Sequence, residues 1–263
     1  MTDTFFLQKV KDLLQMHAHG LLGREIMPED ILIDSVQPKD LLNVLTLSMA
    51  LNYQRNSYKL WESVVHAYNY VKTNWIFDPS IVVTKELGEI RDALLTHRVG
   101  LQPNRHPDIW KRVASGITNS SERGDVYGLI QSANADISIL KEMMQVHRKS
   151  EFPYLSGPKI FNYWLYVIES YTDIVWTSRH LITIAPDTHI LKASVKLGLC
   201  SKEVLNGREI DRNTVSSAWE NVLSGSGLAP IDVHTPLWLW SRAGFPPIQS
   251  SIDTTSHSMY SKT

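Results

Sequence analysis

Apolar residues recur at helical spacing along almost the whole chain, and few segments alternate with period two. That pattern constrains the fold more than any other feature. Phe5-Phe6-Leu7, Val10 and Leu13-Leu14 open it. Further helices are expected from Pro38, over Tyr58–Trp75, and over Thr84–Leu95 with Thr84 as N-cap. The spacing then predicts one from Pro107, one over Asp125–Gln131 and one over Ser138–His147. Ile160–Tyr171, Thr188–Leu199, Arg212–Ser224 and Thr235–Ala243 complete the set. Ile81-Val82-Val83 and Leu181-Ile182-Thr183-Ile184 are β-branched runs too isolated for a sheet. The fold class expected is all-α. After Pro247 the chain is rich in Ser and Thr without apolar spacing, so residues 248–263 are expected to be disordered.

Composition excludes several function classes. Lys plus Arg is 26 and Asp plus Glu is 27, so no basic excess announces a nucleic-acid binder. One cysteine, Cys200, cannot build a disulfide framework or a multi-cysteine metal site, and it suits a buried small hydrophobe. His17 and His19 form a pair with no carboxylate cluster beside it, so a surface role is favoured and no metal is expected. No stretch approaches 18 uninterrupted apolar residues, and the first residues lack the pattern of a signal peptide. A cytoplasmic location is the expectation.

Two segments stand out for chemistry. The first is Phe152-Pro153-Tyr154-Leu155-Ser156-Gly157-Pro158-Lys159-Ile160, between two helices. Gly157 is able to take a positive φ, and Pro158 suits the first turn of the next helix. A tight glycine turn feeding a helix leaves backbone N–H groups pointing outward, a geometry that grips phosphate without basic side chains. The second is Pro186-Asp187-Thr188-His189, with Asp187 at the expected N-cap of its helix.

Read together, Leu155-x-Gly157-x-Lys159, a helix, a loop and then Pro186-Asp187-x-His189 resemble the helix-hairpin-helix DNA glycosylases. A closer likeness is to the archaeal GO glycosylases and 8-oxoguanine glycosylases. It draws on Leu47–Tyr53 with Trp61-Glu62, on Gly100-Leu101 with Arg105 and Trp110–Arg112, and on His234–Arg242. The resemblance implies a two-lobed helical fold. Residues 40–174 would form a helical barrel ending in the hairpin, and 1–39 with 175–247 a second lobe, with the active site in the cleft. It implies that Leu155, Ser156 and Gly157 grip DNA phosphate, aided by Lys149 and Arg148. Asn52 and Gln54 would wedge into the duplex. Trp238, His234 and Trp61 would form the pocket for the extruded base. Asp187 and Lys159 would be catalytic.

The chemistry suits those residue types. Breaking an N-glycosidic bond develops oxocarbenium charge on the sugar, which a carboxylate such as Asp187 stabilises. An amine such as that of Lys159 would attack the sugar, form a Schiff base and nick the strand by β-elimination, an AP-lyase activity. A different register of the hairpin, set by the Asn162-Tyr163 pair, puts Phe152 at the nucleophile position with Lys149 nearby. Water would then attack and leave an intact abasic site. A single Cys also excludes the four-cysteine iron–sulfur cluster of some members, so no cofactor is expected. The function expected is excision of a damaged or modified base, 8-oxoguanine first, by a monomer acting on double-stranded DNA. Its setting would be prokaryotic or phage-related and nucleoid-associated. His234 stands where the archaeal group has an acidic residue, which leaves room for an antiviral glycosylase that removes hypermodified cytosine from phage DNA. A non-catalytic DNA-binding module is the third reading.

Overall fold

The computed structural model describes residues 2–23 and 27–249, which excludes most of the tail read as disordered. The described chain is all-α: it holds no strand, only one isolated bridge between Asp136 and Thr177. Its α-helices are α1 (Thr2–Ala18), α2 (Pro38–Met49), α3 (Ser57–Asn69), α4 (Pro79–Val82), α5 (Leu87–Thr96) and α6 (His106–Thr118). They continue as α7 (Val126–Ser132), α8 (Ile137–Glu142), α9 (Pro158–Tyr171), α10 (Thr188–Leu197), α11 (Glu209–Leu223) and α12 (His234–Arg242).

Several boundaries depart from the spacing, for local reasons. The helix expected over Tyr58–Trp75 stops at Asn69, because Thr73 turns its hydroxyl back onto Ala67 O (2.8 Å) and starts a separate turn over Asn74–Phe77. Thr84 is not an N-cap. Its hydroxyl bonds Ile81 O, and the helix begins after Glu86, whose N–H donates to Glu89 Oε2 (3.2 Å). Ile81-Val82-Val83 belongs to the end of α4 and the turn that follows it, with Asp78 capping its start.

The chain divides into a continuous unit, Ile26–Ile182, and a discontinuous one that joins Met1–Glu25 to Thr183–Thr263. The boundaries expected at 40 and 174 therefore move outward to about 26 and 182. Side-chain bonds explain the shift. Trp61 Nε1 and Tyr163 OH both donate to Glu29 Oε1 (3.0 Å each), and Tyr171 OH donates to Asp30 Oδ1 (2.6 Å). Trp176 Nε1 donates to Leu165 O (3.0 Å), so both flanking segments are sewn to the central helices.

The core of the continuous unit gathers Leu45, Leu47, Trp61, Trp110, Phe161 and Trp164, all essentially inaccessible. Each such side chain contributes about 1.5–3 kcal/mol by leaving water. Its indoles find acceptors: Trp110 Nε1 bonds Ile76 O (2.8 Å) and Trp164 Nε1 bonds Thr46 Oγ1 (2.8 Å), which ties α9 to α2. The discontinuous unit has its own core, with Val10, Leu13, Leu191, Val215, Trp219 and Leu237 at its centre. There Trp219 Nε1 donates to the buried Ser194 Oγ (2.9 Å).

Candidate functional site

In the continuous unit, the site begins with the loop between α8 and α9. α8 runs on as one π turn over Met143–His147, and residues 148–157 then lead to Pro158. Arg148 clamps this loop. Its guanidinium pairs with Glu151 through Nε (2.8 Å) and Nη2 (2.6 Å), and reaches Ser120 Oγ and Gly116 O at the end of α6. The paired guanidinium lowers the Glu151 carboxyl below its ordinary range. Arg148 is thus a structural strut, not a free phosphate ligand. Phe152 packs on Gly116, where an added Cβ would meet its ring at 2.8 Å. Phe152 is fully buried, so it fills the interior and offers nothing to a substrate.

The loop differs from the glycine turn expected. Gly157 has φ −67°, and the positive φ falls on Tyr154 (62°). Leu155 N–H bonds Pro153 O, Ser156 N–H bonds Phe152 O and Gly157 N–H bonds Tyr154 O (2.8–2.9 Å). These amides are spent inside the loop, and the side chains of Leu155 and Ser156 are buried. Leu155, Ser156 and Gly157 therefore do not present the outward N–H groups assigned to them. The first intrahelical bond runs from Phe161 N–H to Gly157 O, which leaves the Lys159 and Ile160 amides as the donors at this helix start. The Lys159 side chain is exposed and its amine has no partner among the described residues. Lys149 is exposed in the loop itself.

Trp61 is not a pocket wall. It is 0% exposed and donates to Glu29, itself 1% exposed. Glu29 Oε1 is doubly bonded, whereas Oε2 is buried without a hydrogen-bond partner. Burial raises the Glu29 carboxyl above the ordinary carboxylate range, against the hydrogen bonds that favour its charge. Tyr163, one turn beyond Lys159 on α9, connects this buried acid to the helix whose first turn carries the lysine.

Asn52 is half-buried and tied locally, accepting from Ser57 Oγ (3.0 Å). Gln54 sits exposed at the loop tip with φ 51°, in the left-handed region. Between them, Tyr53 stacks on Tyr154 with centroids 4.8 Å apart, and the Arg105 guanidinium lies 4.9 Å from the Tyr154 ring. Tyr53, Tyr154 and Arg105 were not predicted as a group. Their contact joins three loops distant in sequence, and neither spacing nor composition signals it.

In the discontinuous unit, Asp187 caps α10. Its Oδ1 accepts from His189 N–H (2.8 Å) and Ile190 N–H (3.0 Å). Oδ2 has no partner among the described residues. Arg212 holds the carbonyl of Pro186, which fixes the approach to the cap. α10 packs on α12, and this brings His189 beside Trp238 with ring centroids 5.7 Å apart. His189 Nδ1 also meets Ser241 Oγ (3.2 Å), and Arg242 lies 4.6 Å from the Trp238 ring. Trp238 is half-buried, an aromatic held edge and face by a histidine and an arginine. His234 opens α12 one turn before it. The structure therefore groups Asp187's helix with Trp238 and His234, and adds His189 and Arg242, which the sequence motifs contain without giving them a role.

No group of three or more His, Cys, Asp or Glu side chains is placed to hold a metal among the described residues. No described helix is long and apolar enough to cross a membrane. No protein-family model, curated protein or solved structure matches the chain.

Proposed function

We propose that this chain is a DNA N-glycosylase that excises a damaged or modified base, with 8-oxoguanine as the first candidate. The observation that carries the reading is the arrangement at Asp187. One carboxylate oxygen is committed to two backbone amides while the other is left without a partner. A cap needs only the first oxygen, and an acid so held is orientated to meet positive charge developing on a substrate. Beside it on the packed helices, Trp238 offers a ring edge-on to His189, the type of surface on which an extruded base stacks.

Lys159 takes the nucleophile's part in this proposal. Its amine attacks C1′ as the glycosidic bond breaks, and the resulting Schiff base permits β-elimination at the 3′ side of the sugar. Its side chain is exposed at a helix start, with no carboxylate holding the amine. The finer description of the all-α fold as a helix-hairpin-helix glycosylase, with duplex DNA as partner of a monomer, belongs to the same proposal. Tyr53, Tyr154 and Arg105 support a DNA-facing surface in the continuous unit, because a stacked ring pair under a guanidinium suits unpaired bases and phosphate.

The test is base release from a panel of duplexes carrying 8-oxoguanine, uracil, alkylated purines and glucosylated hydroxymethylcytosine. Wild type releases one of these bases and Asp187→Asn does not. Release from none of them overturns the proposal. Borohydride trapping separates the two chemistries: wild type forms a covalent adduct and Lys159→Gln forms none. A trapped adduct that survives Lys159→Gln moves the nucleophile to another amine.

A further inference from the structure

The N-terminal end of α3 opens on a cavity of about 350 Å³ lined by Arg55, Asn56, Lys59, Glu62, Arg98 and Leu101. Three of these residues are cations and one is a carboxylate. None of the three cations is ion-paired among the described residues, and Glu62 pairs with none of them. Lys59 and Arg98 are exposed, and Arg55 is half-buried.

The guanidinium of Arg55 is held in place by backbone alone. Nη1 donates to Val99 O (2.6 Å) and Nη2 to Arg98 O (3.1 Å), while Nε is buried with no hydrogen-bond partner. Arg98 adopts φ 61°, a left-handed conformation unfavourable to a side chain of its size, and its carbonyl is one of the two that grip Arg55. Backbone strain at one arginine thus helps to fix a second arginine next to it. Burial and, after it, the neighbouring Arg98 charge lower the Arg55 guanidinium to about 10. The same excess is felt by His106, whose pKa falls to about 4 through burial and the charges of Arg55 and Arg105. Carbonyl oxygens satisfy donors without neutralising their charge, so the local positive charge remains. The positive end of α3, a helix of 13 residues, adds to it.

We infer that this cavity is an anion site that binds a phosphate group through Arg55, Lys59 and Arg98. Guanidinium forks match phosphate oxygens, and two net positive charges match a dianionic monoester or two successive phosphodiesters. The chemistry is shared by two sources, the backbone of a nucleic acid and a free mononucleotide or inorganic phosphate. Only the first source rests on the glycosylase reading. None of these three residues belongs to the loop before α9 or to the starts of α9 and α10.

The experiment compares wild type with Lys59→Gln/Arg98→Asn. Asparagine tolerates the left-handed conformation, so the turn that holds Arg55 is kept. Melting is followed with sodium phosphate and with AMP against sodium chloride at matched ionic strength. Binding of an undamaged 20-base-pair duplex is followed from 50 to 200 mM salt. A DNA source predicts that the double variant flattens the salt dependence of log K by about 1–2, the worth of one or two phosphate contacts. A free-phosphate source predicts that phosphate or AMP raises the melting temperature of wild type and not of the variant. The proposal is overturned if neither difference between the proteins appears. Lys59→Gln alone repeats both measurements should the Arg98 change disturb the turn. Neither readout requires base release, so failure of the lesion panel leaves this test standing, and its failure leaves the panel unaffected.

Discussion

The starts of α9 and α10 solve the same problem in opposite ways. Every α-helix begins with amides that lack an intrahelical acceptor. At α10 an aspartate takes two of them with a single oxygen, and the chain leading in is held by Arg212. At α9 no side chain caps the start. Proline occupies the first turn, where its missing N–H costs nothing, and the preceding loop spends its own amides internally. The difference teaches that a helix start leaves polar groups over in two ways: a carboxylate oxygen at a side-chain cap, or an exposed, unpaired lysine where no side chain caps. The first start is local in origin, set by four consecutive residues. The second depends on Arg148 and Phe152 anchoring the loop to α6.

The largest effect expected separates chemistry from capping at Asp187. Asparagine caps about as well as aspartate, so Asp187→Asn keeps stability within about 0.5 kcal/mol, whereas Asp187→Ala loses about 1 kcal/mol. Both lower base release by about 10²–10³-fold, the loss usual when charge stabilisation in the transition state is removed. Denaturant melts beside single-turnover release measure the two quantities. Activity that tracks stability across the pair would reduce Asp187 to a cap.

Next comes the strut. Arg148→Ala removes four hydrogen bonds and leaves Glu151 without its cation, so it costs about 2–3 kcal/mol by chemical denaturation. A loss under 0.5 kcal/mol would show that the loop before α9 stands without its tie to α6.

The third concerns the acid beneath α9. Because its folded pKa is raised, Glu29 contributes fully below its unfolded value near 4.5, and that contribution is lost as pH rises through the folded value. Melting temperatures from pH 4 to 8 will therefore fall less for Glu29→Gln than for wild type. Parallel curves would show that the Glu29 proton is not linked to folding.

The smallest effect belongs to Gly157. With φ −67°, it needs no glycine on backbone grounds, and an added Cβ meets only Tyr154 O at 3.1 Å. Gly157→Ala should cost less than about 1 kcal/mol. The same change at a required positive φ would cost about 1–2 kcal/mol.

What was legible in the sequence was local. The 3.6 period exposed the helices, and Pro186-Asp187-Thr188 declared its own cap, because capping needs residues two and three positions away. What was illegible required partners far along the chain. Trp61 looked available for a ligand, but its indole is claimed by Glu29, 32 residues earlier. Gly157 looked like the flexible member of its loop. The positive φ instead falls on Tyr154, whose ring is held by Tyr53 and Arg105 across long sequence distances. Arg148 read as a free charge until Glu151, Ser120 and Gly116 were seen to hold it.

The discontinuous unit also bears on how the molecule is made. α1 packs against α11 and α12, with Phe6 against Trp219 at a centroid distance of 5.8 Å. During synthesis α1 emerges before the continuous unit, and its partners emerge only after it. At ~5–20 residues per second, the ~200 residues between them take roughly 10–40 s. Through that interval Val10, Leu13 and Met16 have no native surface to cover them, while the continuous unit between has all its own residues in hand. α1 is therefore a segment on which a ribosome-associated chaperone has time to act before its partners arrive.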